Sequence, residues 1–343
     1  MGRLPIATLL ALTMGNAHVF AEPSVEEMHF WTSGGEPAAL SAVRDKVVAA
    51  MPMLGQDVID WASEGLLGDV DALVVTESWD VALQHAVKDF TRIDGHNICM
   101  PTNMDRTEMI WTSTAAFDAI GAAFPTTREE LNALAPRFRE AGNIPPAHGG
   151  HAWQEVDKFD ATATSVDGAD FYHRGLIELD DATLRGPEMV ALLEELAQLR
   201  GMVDENAPGR DWNLASAMVI NSEAAMQIMA DWAKGEFTKA GKLPGEYRAC
   251  IPVPGAEGDT LVFLVTALSL FAQTDPDLIK DHAVPASAIM DKDLQVAFNQ
   301  AKGAIPVRTD IDRSGMDGSA QATSAAMSAT GAATLADATE AAT

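Results

Sequence analysis

Two stretches decide the fold class: Pro187-Glu-Met-Val-Ala-Leu-Leu-Glu-Glu-Leu-Ala-Gln-Leu-Arg200 and Leu261-Val-Phe-Leu-Val-Thr-Ala-Leu-Ser-Leu-Phe271. In the first, Met189, Val190, Leu192, Leu193, Leu196 and Leu199 recur at helical spacing. That predicts a helix with one apolar face, closed by Gly201. The second is an apolar run interrupted only by Thr266 and Ser269 and, with Ala249 to Pro254, reads as buried strand. Working outward, Thr126-Thr127-Arg128-Glu129 is a capping-box pattern opening a helix through Leu131, Leu134 and Phe138, which Pro136 is expected to kink or interrupt. Leu40, Val43, Val47 and Val48 predict a helix over Ala38 to Ala50, after a short strand over Glu27 to Trp31. Helices alternating with short apolar strands indicate an α/β protein.

The chain has 343 residues, 47% of them hydrophobic, enough for about two domains with real cores. Fifty acidic side chains against 23 basic ones give a net charge of −27. That balance argues against a nucleic-acid partner, which needs a basic stripe, and against docking on an anionic membrane surface. Two distant cysteines exclude a disulfide scaffold and a four-cysteine zinc site. No run after the first segment reaches the ~18 apolar residues of a membrane span.

The first segment reads as an address. Arg3 precedes an apolar stretch from Leu4 to Met14, and Val19-Phe-Ala21 places small or aliphatic residues at the positions of a secretory cleavage site. Acidic residues begin abruptly at Glu22. We expect residues 1–21 to be a signal peptide and the mature protein to be periplasmic. From Ser314 the sequence thins to Ala, Ser, Thr and Gly, and 321–343 reads as a low-complexity, weakly folded tail.

No GxSxG, P-loop, GxGxxG or HExxH motif occurs, so a catalytic reading has little to stand on. His148 and His151 have metal spacing, yet they lie on a Gly-rich loop with no carboxylate nearer than Glu155. A hydrogen-bonded turn accounts for them better than zinc. We expect no metal and no cofactor. Trp31, Trp153, Trp212 and Trp232 each sit beside Gly, Asp, Glu or Asn rather than within an apolar run. An aromatic face with neighbouring carboxylates, amides and a lysine suits a neutral sugar, whose C–H face stacks on the ring while its hydroxyls meet the polar groups. Core packing is an equally good account of any one of these rings.

Several segments closely resemble the glucose/mannose-type periplasmic substrate-binding proteins of bacterial ABC sugar transporters. They are His29-Phe-Trp-Thr-Ser-Gly-Gly-Glu36, Trp61-Ala-Ser-Glu-Gly-Leu-Leu67, Ile144-Pro-Pro-Ala-His-Gly-Gly150, Asn206-Ala-Pro-Gly-Arg-Asp-Trp-Asn-Leu-Ala-Ser-Ala-Met-Val-Ile220, Met226-Gln-Ile-Met-Ala-Asp-Trp-Ala-Lys-Gly-Glu-Phe237 and Lys302-Gly-Ala-Ile-Pro-Val-Arg308. The resemblance implies a two-lobed, type II periplasmic-binding-protein-like α/β fold with a hinge. It implies a first lobe over 22–110 plus 250–303 and a second over 111–249 plus 304–320. It also implies capture of a monosaccharide for ABC-transporter import, with the membrane permease subunits as partners. Position by position, Trp31 and Glu36 correspond to a platform and hydroxyl acceptor, Trp153 and Trp232 to cleft aromatics, and Lys302 to a lysine reaching the hydroxyls. Trp212 is read as structural.

The chain also departs from that pattern. Met51 to Gln56 stands where relatives place a strand–helix–strand excursion, too short to hold one, so the first lobe is expected to be reduced. Thr266 replaces a ligand-binding Asp, and Asp105 and Glu108 replace His and Asn. The C-terminal segment diverges, and the family's partner for Cys250 appears as Ser319, leaving Cys99 as its only possible partner. A degenerate paralogue with weak or no sugar binding is therefore an alternative. A more remote one is an exported carbohydrate-active enzyme, which needs two carboxylates about 5–10 Å apart across the cleft.

Overall fold

The computed structural model describes residues 50–242, 246–252, 262–329 and 334–335. The expected signal peptide, the strand over 27–31, the helix over 38–49, Trp31 and Glu36 lie outside the described residues. The strands are β1 (Ala50–Leu54), β2 (Arg92–Ile93), β3 (His96–Asn97), β4 (Cys99–Arg106), β5 (Met109–Ser113), β6 (Ile144–Ala147), β7 (Ala224–Ile228), β8 (Tyr247–Pro252), β9 (Val262–Leu270) and β10 (Thr334–Leu335).

Every residue of β9 is buried, as its apolar run requires, and β9 is the centre of the first sheet. β4 lies antiparallel along one edge, from Cys99 opposite Ser269 to Arg106 opposite Phe263. β1 and β10 share the other edge end to end, β1 antiparallel with Leu54 opposite Thr266, β10 parallel with Thr334 opposite Val262. Among the described residues this sheet therefore has four strands. Ala50 to Leu54 was expected to close a helix and begin a bare connection. It is a strand instead, because Pro52 favours extended backbone, and the edge of a sheet tolerates its missing N–H. The helix Gly55–Ser63 follows at once.

The second sheet runs β6-β7-β5-β8, with β5 buried throughout and antiparallel to both β7 and β8, and β6 parallel to β7. Each sheet has its own apolar core. One gathers Met53, Trp79, Met100, Phe263, Leu268 and Phe298, and the other gathers Trp111, Ala147, Val219, Met229 and Phe237. The chain passes from one lobe to the other where β4 runs through Thr107 and Glu108 into β5, and returns between β8 and β9. Ile305 and Val307 belong to the first core, and Met104 and Ile305 exchange backbone hydrogen bonds of 2.8 and 2.9 Å. Pairing with β4 thus holds this part of 304–320 in the first lobe, where the second was expected.

Other local expectations are refined. The helix Arg128–Glu140 continues through Pro136, since Leu134, Ala135 and Phe138 are buried on both sides of the ring and outweigh one lost hydrogen bond. Its cap falls one residue later than the Thr126–Glu129 pattern implied: Thr127 accepts from the Glu130 N–H, while Glu130 reaches back to the Thr126 N–H at 2.8 Å. The helix Pro187–Met202 buries only Leu192, Glu195 and Leu199, and leaves Val190 and Leu193 more than half exposed. Its inner stripe is narrower than the apolar spacing suggested, because Asn132 donates to Glu195 and lets a carboxylate pack inside. The Ala-rich segment Gly318–Ala329 is helical rather than weakly folded. Alanine is the strongest helix former, and Asp317 accepts the Ala320 N–H at the helix start.

Candidate functional site

Trp153 stands in the first turn of the helix Ala152–Tyr172, placed by His151 before it, whose ring nitrogen lies 2.9 Å from Asp211 Oδ1. Trp232 lies in the short turn Asp231–Ala233 just beyond the end of β7. Both rings are half-buried, their centroids 6.2 Å apart at 54°. Lys302, the last residue of the helix Lys292–Lys302, brings its Nζ to 5.4 Å from the centre of the Trp232 ring. Three of the five expected site residues thus meet at one place, aromatics from the second lobe and an ammonium from the first. Trp212 packs on the second core and its carbonyl accepts from Gln227, in keeping with a structural role.

The close approach depends on Gly303. At φ +102° it ends the helix in left-handed backbone, and a Cβ there would stand 3.1 Å from the Asp231 carbonyl and 3.2 Å from the Gly235 nitrogen. A side chain at 303 would be strained at this φ and would crowd the Asp231–Gly235 segment of the other lobe.

Around Lys302 the polar groups form one network. Its Nζ donates to both Asp105 oxygens, at 2.7 and 2.8 Å, with Lys302 and Asp105 both buried. Asn103 donates to Asp105 Oδ2 at 2.6 Å, and the same amide stands 3.4 Å from Thr266 Oγ1. Thr102 donates to Asn103 Oδ1 and holds that amide in place. Beside this pair, Asp231 is buried, and among the described residues its Oδ1 has no hydrogen-bond partner. Burial, then the Asp105 charge, pushes its carboxyl well above the usual carboxylate range. Asp157, one turn beyond Trp153, is buried with neither oxygen hydrogen-bonded among the described residues. Burial, then the Asp160 charge, raises it strongly. Glu108, on the crossing between lobes, pairs with Arg106 and is still raised by burial.

Asp105, Asp157 and Asp231 were not singled out from sequence as site groups. The sequence signal available was adjacency: Asp231 directly precedes Trp232, and Asp157 follows Trp153 by one helical turn.

The remaining candidates behave differently. His148 is buried, its Nε2 3.3 Å from both Lys158 Nζ and Glu155 Oε1, and burial followed by the Lys158 charge pushes its pKa down to about 4. Among the described residues, no three His, Cys, Asp or Glu side chains gather as a metal site. Cys99 is a buried free thiol that burial pushes up, and the Cys250 side chain lies outside the described residues.

Chemically, the arrangement offers flat apolar faces next to a charge-assisted donor and acceptor. Two lobes joined by crossing strands, with functional groups from both meeting at the junction, define a protein that takes a ligand between its lobes. Comparison with known proteins gives the family. The profile of the bacterial extracellular solute-binding proteins matches residues 37–283. A probable sugar-binding periplasmic protein of Rhizobium meliloti (strain 1021) is 40% identical over 340 residues, covering 90% of this chain and 81% of that one. Among solved structures, the bacterial solute receptor AcbH, described as having an exclusive substrate preference for b-D-galactopyranose, superposes with a TM-score of 0.75 at 14% identity, covering 90% of this chain and 86% of that one. A chitin oligosaccharide binding protein superposes with a TM-score of 0.75 at 13% identity, covering 92% and 90%. The chain belongs to the bacterial extracellular solute-binding protein family.

Proposed function

We propose that the protein is the sugar-capturing component of an ABC importer, exported to the periplasm by residues 1–21 and delivering its ligand to membrane permease subunits. The observation that carries this reading is the Trp153–Trp232 pair with the Lys302 ammonium beside it. Its relatives in Rhizobium and Brucella, described as probable sugar-binding periplasmic proteins, support it. Trp31 and Glu36 complete the site in this reading, as a second aromatic platform and a further hydroxyl acceptor. The ligand we favour is a glucose- or mannose-like monosaccharide. Solved neighbours are described with galactopyranose, a chitin oligosaccharide and maltose, so longer ligands belong in the test. Binding is expected to do the work, with no chemical step on the sugar.

A weak-binding paralogue is the second reading. Thr266, buried on β9, supplies a hydroxyl where an acid would give a charge-assisted bond worth about 1.5–3 kcal/mol. That shortfall weakens binding by about ten- to a hundredfold. Titration calorimetry of the exported chain against glucose, mannose, galactose, maltose and chitobiose decides between the readings. Saturable heat with one of them supports capture, and submicromolar affinity would remove the degenerate reading. No heat from any of them would overturn sugar capture.

A further inference from the structure

We propose that Asp105 is a sugar-contacting residue that sets specificity, presenting with Lys302 an adjacent acceptor and donor that take two neighbouring hydroxyls of one sugar ring. The inference rests on the sugar-binding reading above and deepens it. The Lys302 Nζ and the Asp105 oxygens are 2.7 and 2.8 Å apart, close to the spacing of adjacent ring hydroxyl oxygens. An ionised carboxylate has about four acceptor positions. Lys302 uses one on each oxygen and Asn103 one on Oδ2, so Oδ1 keeps an acceptor position for a hydroxyl proton. The ammonium has three donors, and those not used by Asp105 are free to meet a hydroxyl oxygen.

Stability does not account for this pair. A buried ion pair costs about as much in desolvation as it returns, and well-packed apolar residues commonly do as well. What the pair has is preparation. Asn103 holds Asp105 from below and is itself held by Thr102, while Asn299 donates to the Thr102 carbonyl at 3.0 Å. Such a carboxylate is aimed before a ligand arrives, and preorganised groups lose less on binding. Its position also couples it to the opposite lobe. The face that meets Lys302 is the Trp232 ring, and a sugar slipping onto that ring puts its hydroxyl edge at Lys302 and Asp105. The buried acid across the junction, Asp231, is pushed towards its neutral form by burial and by Asp105, so the acceptor that keeps a counterion is Asp105.

The test is titration calorimetry of the full chain with the tightest sugar of the panel and its set of monodeoxy analogues. For the unaltered protein we expect two adjacent positions whose deoxy analogues bind about ten- to a hundredfold more weakly. In Asp105→Asn we expect the parent sugar to weaken by a similar factor and the penalty at one of those two positions to vanish, while the other survives. A purely structural aspartate would weaken all analogues alike. Because Asp105→Asn leaves a buried ammonium unpaired, the neutral pair Asp105→Asn with Lys302→Gln is measured alongside, and in it both penalties should vanish. A deoxy profile in these variants that matches the unaltered protein overturns the assignment of Asp105 and leaves sugar capture intact. Absence of heat from the unaltered protein with every sugar overturns capture itself, and this inference with it.

Discussion

Two lysines are buried to nearly the same extent, Lys302 at 3% and Lys158 at 4% exposed, and they do different things. The polar partners of Lys158, Glu155 and His148, come from its own lobe, and Arg200 of that lobe also holds Glu155. It lines a small cavity with Pro146, Ala147, Leu199 and Ile228, and burial pushes its ammonium down. The groups around Lys302 come from both lobes, Asp105 from the first and Trp232 from the second. A network within one rigid lobe can only hold it together, whereas a network spanning two lobes changes whenever they move. A buried lysine is therefore not a site by itself; the origin of its partners distinguishes the two cases.

The contrast can be broken most forcefully at Lys302. Lys302→Met leaves Asp105 buried without its counterion and should cost about 3–5 kcal/mol of stability, together with sugar binding. Lys158→Met leaves Glu155, which is 39% exposed and can turn to water, so it should cost less and leave sugar affinity unchanged. Urea unfolding and calorimetry on both variants check this, and a loss of affinity in Lys158→Met would erase the distinction.

Acid probes the Lys158 region through His148. Folded His148 takes a proton only near pH 4, whereas the unfolded chain takes it near 6.5. In that window the unfolded state binds more protons, so stability falls as pH falls, by up to about 3 kcal/mol. His148→Gln should remove that part of the loss in urea unfolding at pH 7, 5 and 4. An unchanged acid slope would mean that His148 is not held neutral by its surroundings.

Trp232→Ala should cost about 1–2 kcal/mol in sugar binding. Its stability loss should stay below the ~3–5 kcal/mol typical of a core tryptophan, for which Trp111, fully buried, is the control. Unchanged affinity with a loss as large as that of Trp111→Ala would make Trp232 a core residue. A separate effect is expected at Asp157. Its folded carboxyl is raised above the ordinary 3.8, so the folded state binds more protons and stability falls as pH rises above that value. Asp157→Asn should raise the melting temperature at pH 7 and leave it nearly unchanged at pH 3.5.

Much of the scaffold was legible because local chemistry and burial agree. The apolar run of β9 and the helix from Pro187 are examples. β1 was missed because a five-residue segment carrying Pro52 looks like a connection until β9 offers it an edge. The exposure of Val190 and Leu193 has the same origin: periodicity finds an apolar face but not what covers it. The helix Gly318–Ala329 was hidden because Ala, Ser and Thr read as low complexity, although Thr323 and Ser324 are buried against the fold. At the site, Trp153, Trp232 and Lys302 were readable one at a time from their motifs. The Asp105–Lys302 pair joins positions 197 residues apart, and no local pattern encodes which of many carboxylates meets a given lysine.

The most direct test of the site is the structure of the protein crystallised with the sugar it binds best. The account predicts a sugar ring stacked on Trp232 near Trp153, with adjacent hydroxyls within hydrogen-bond distance of Lys302 Nζ and Asp105 Oδ1. A sugar bound elsewhere, with the Lys302–Asp105 pair and the Trp232 contact unchanged, would contradict it.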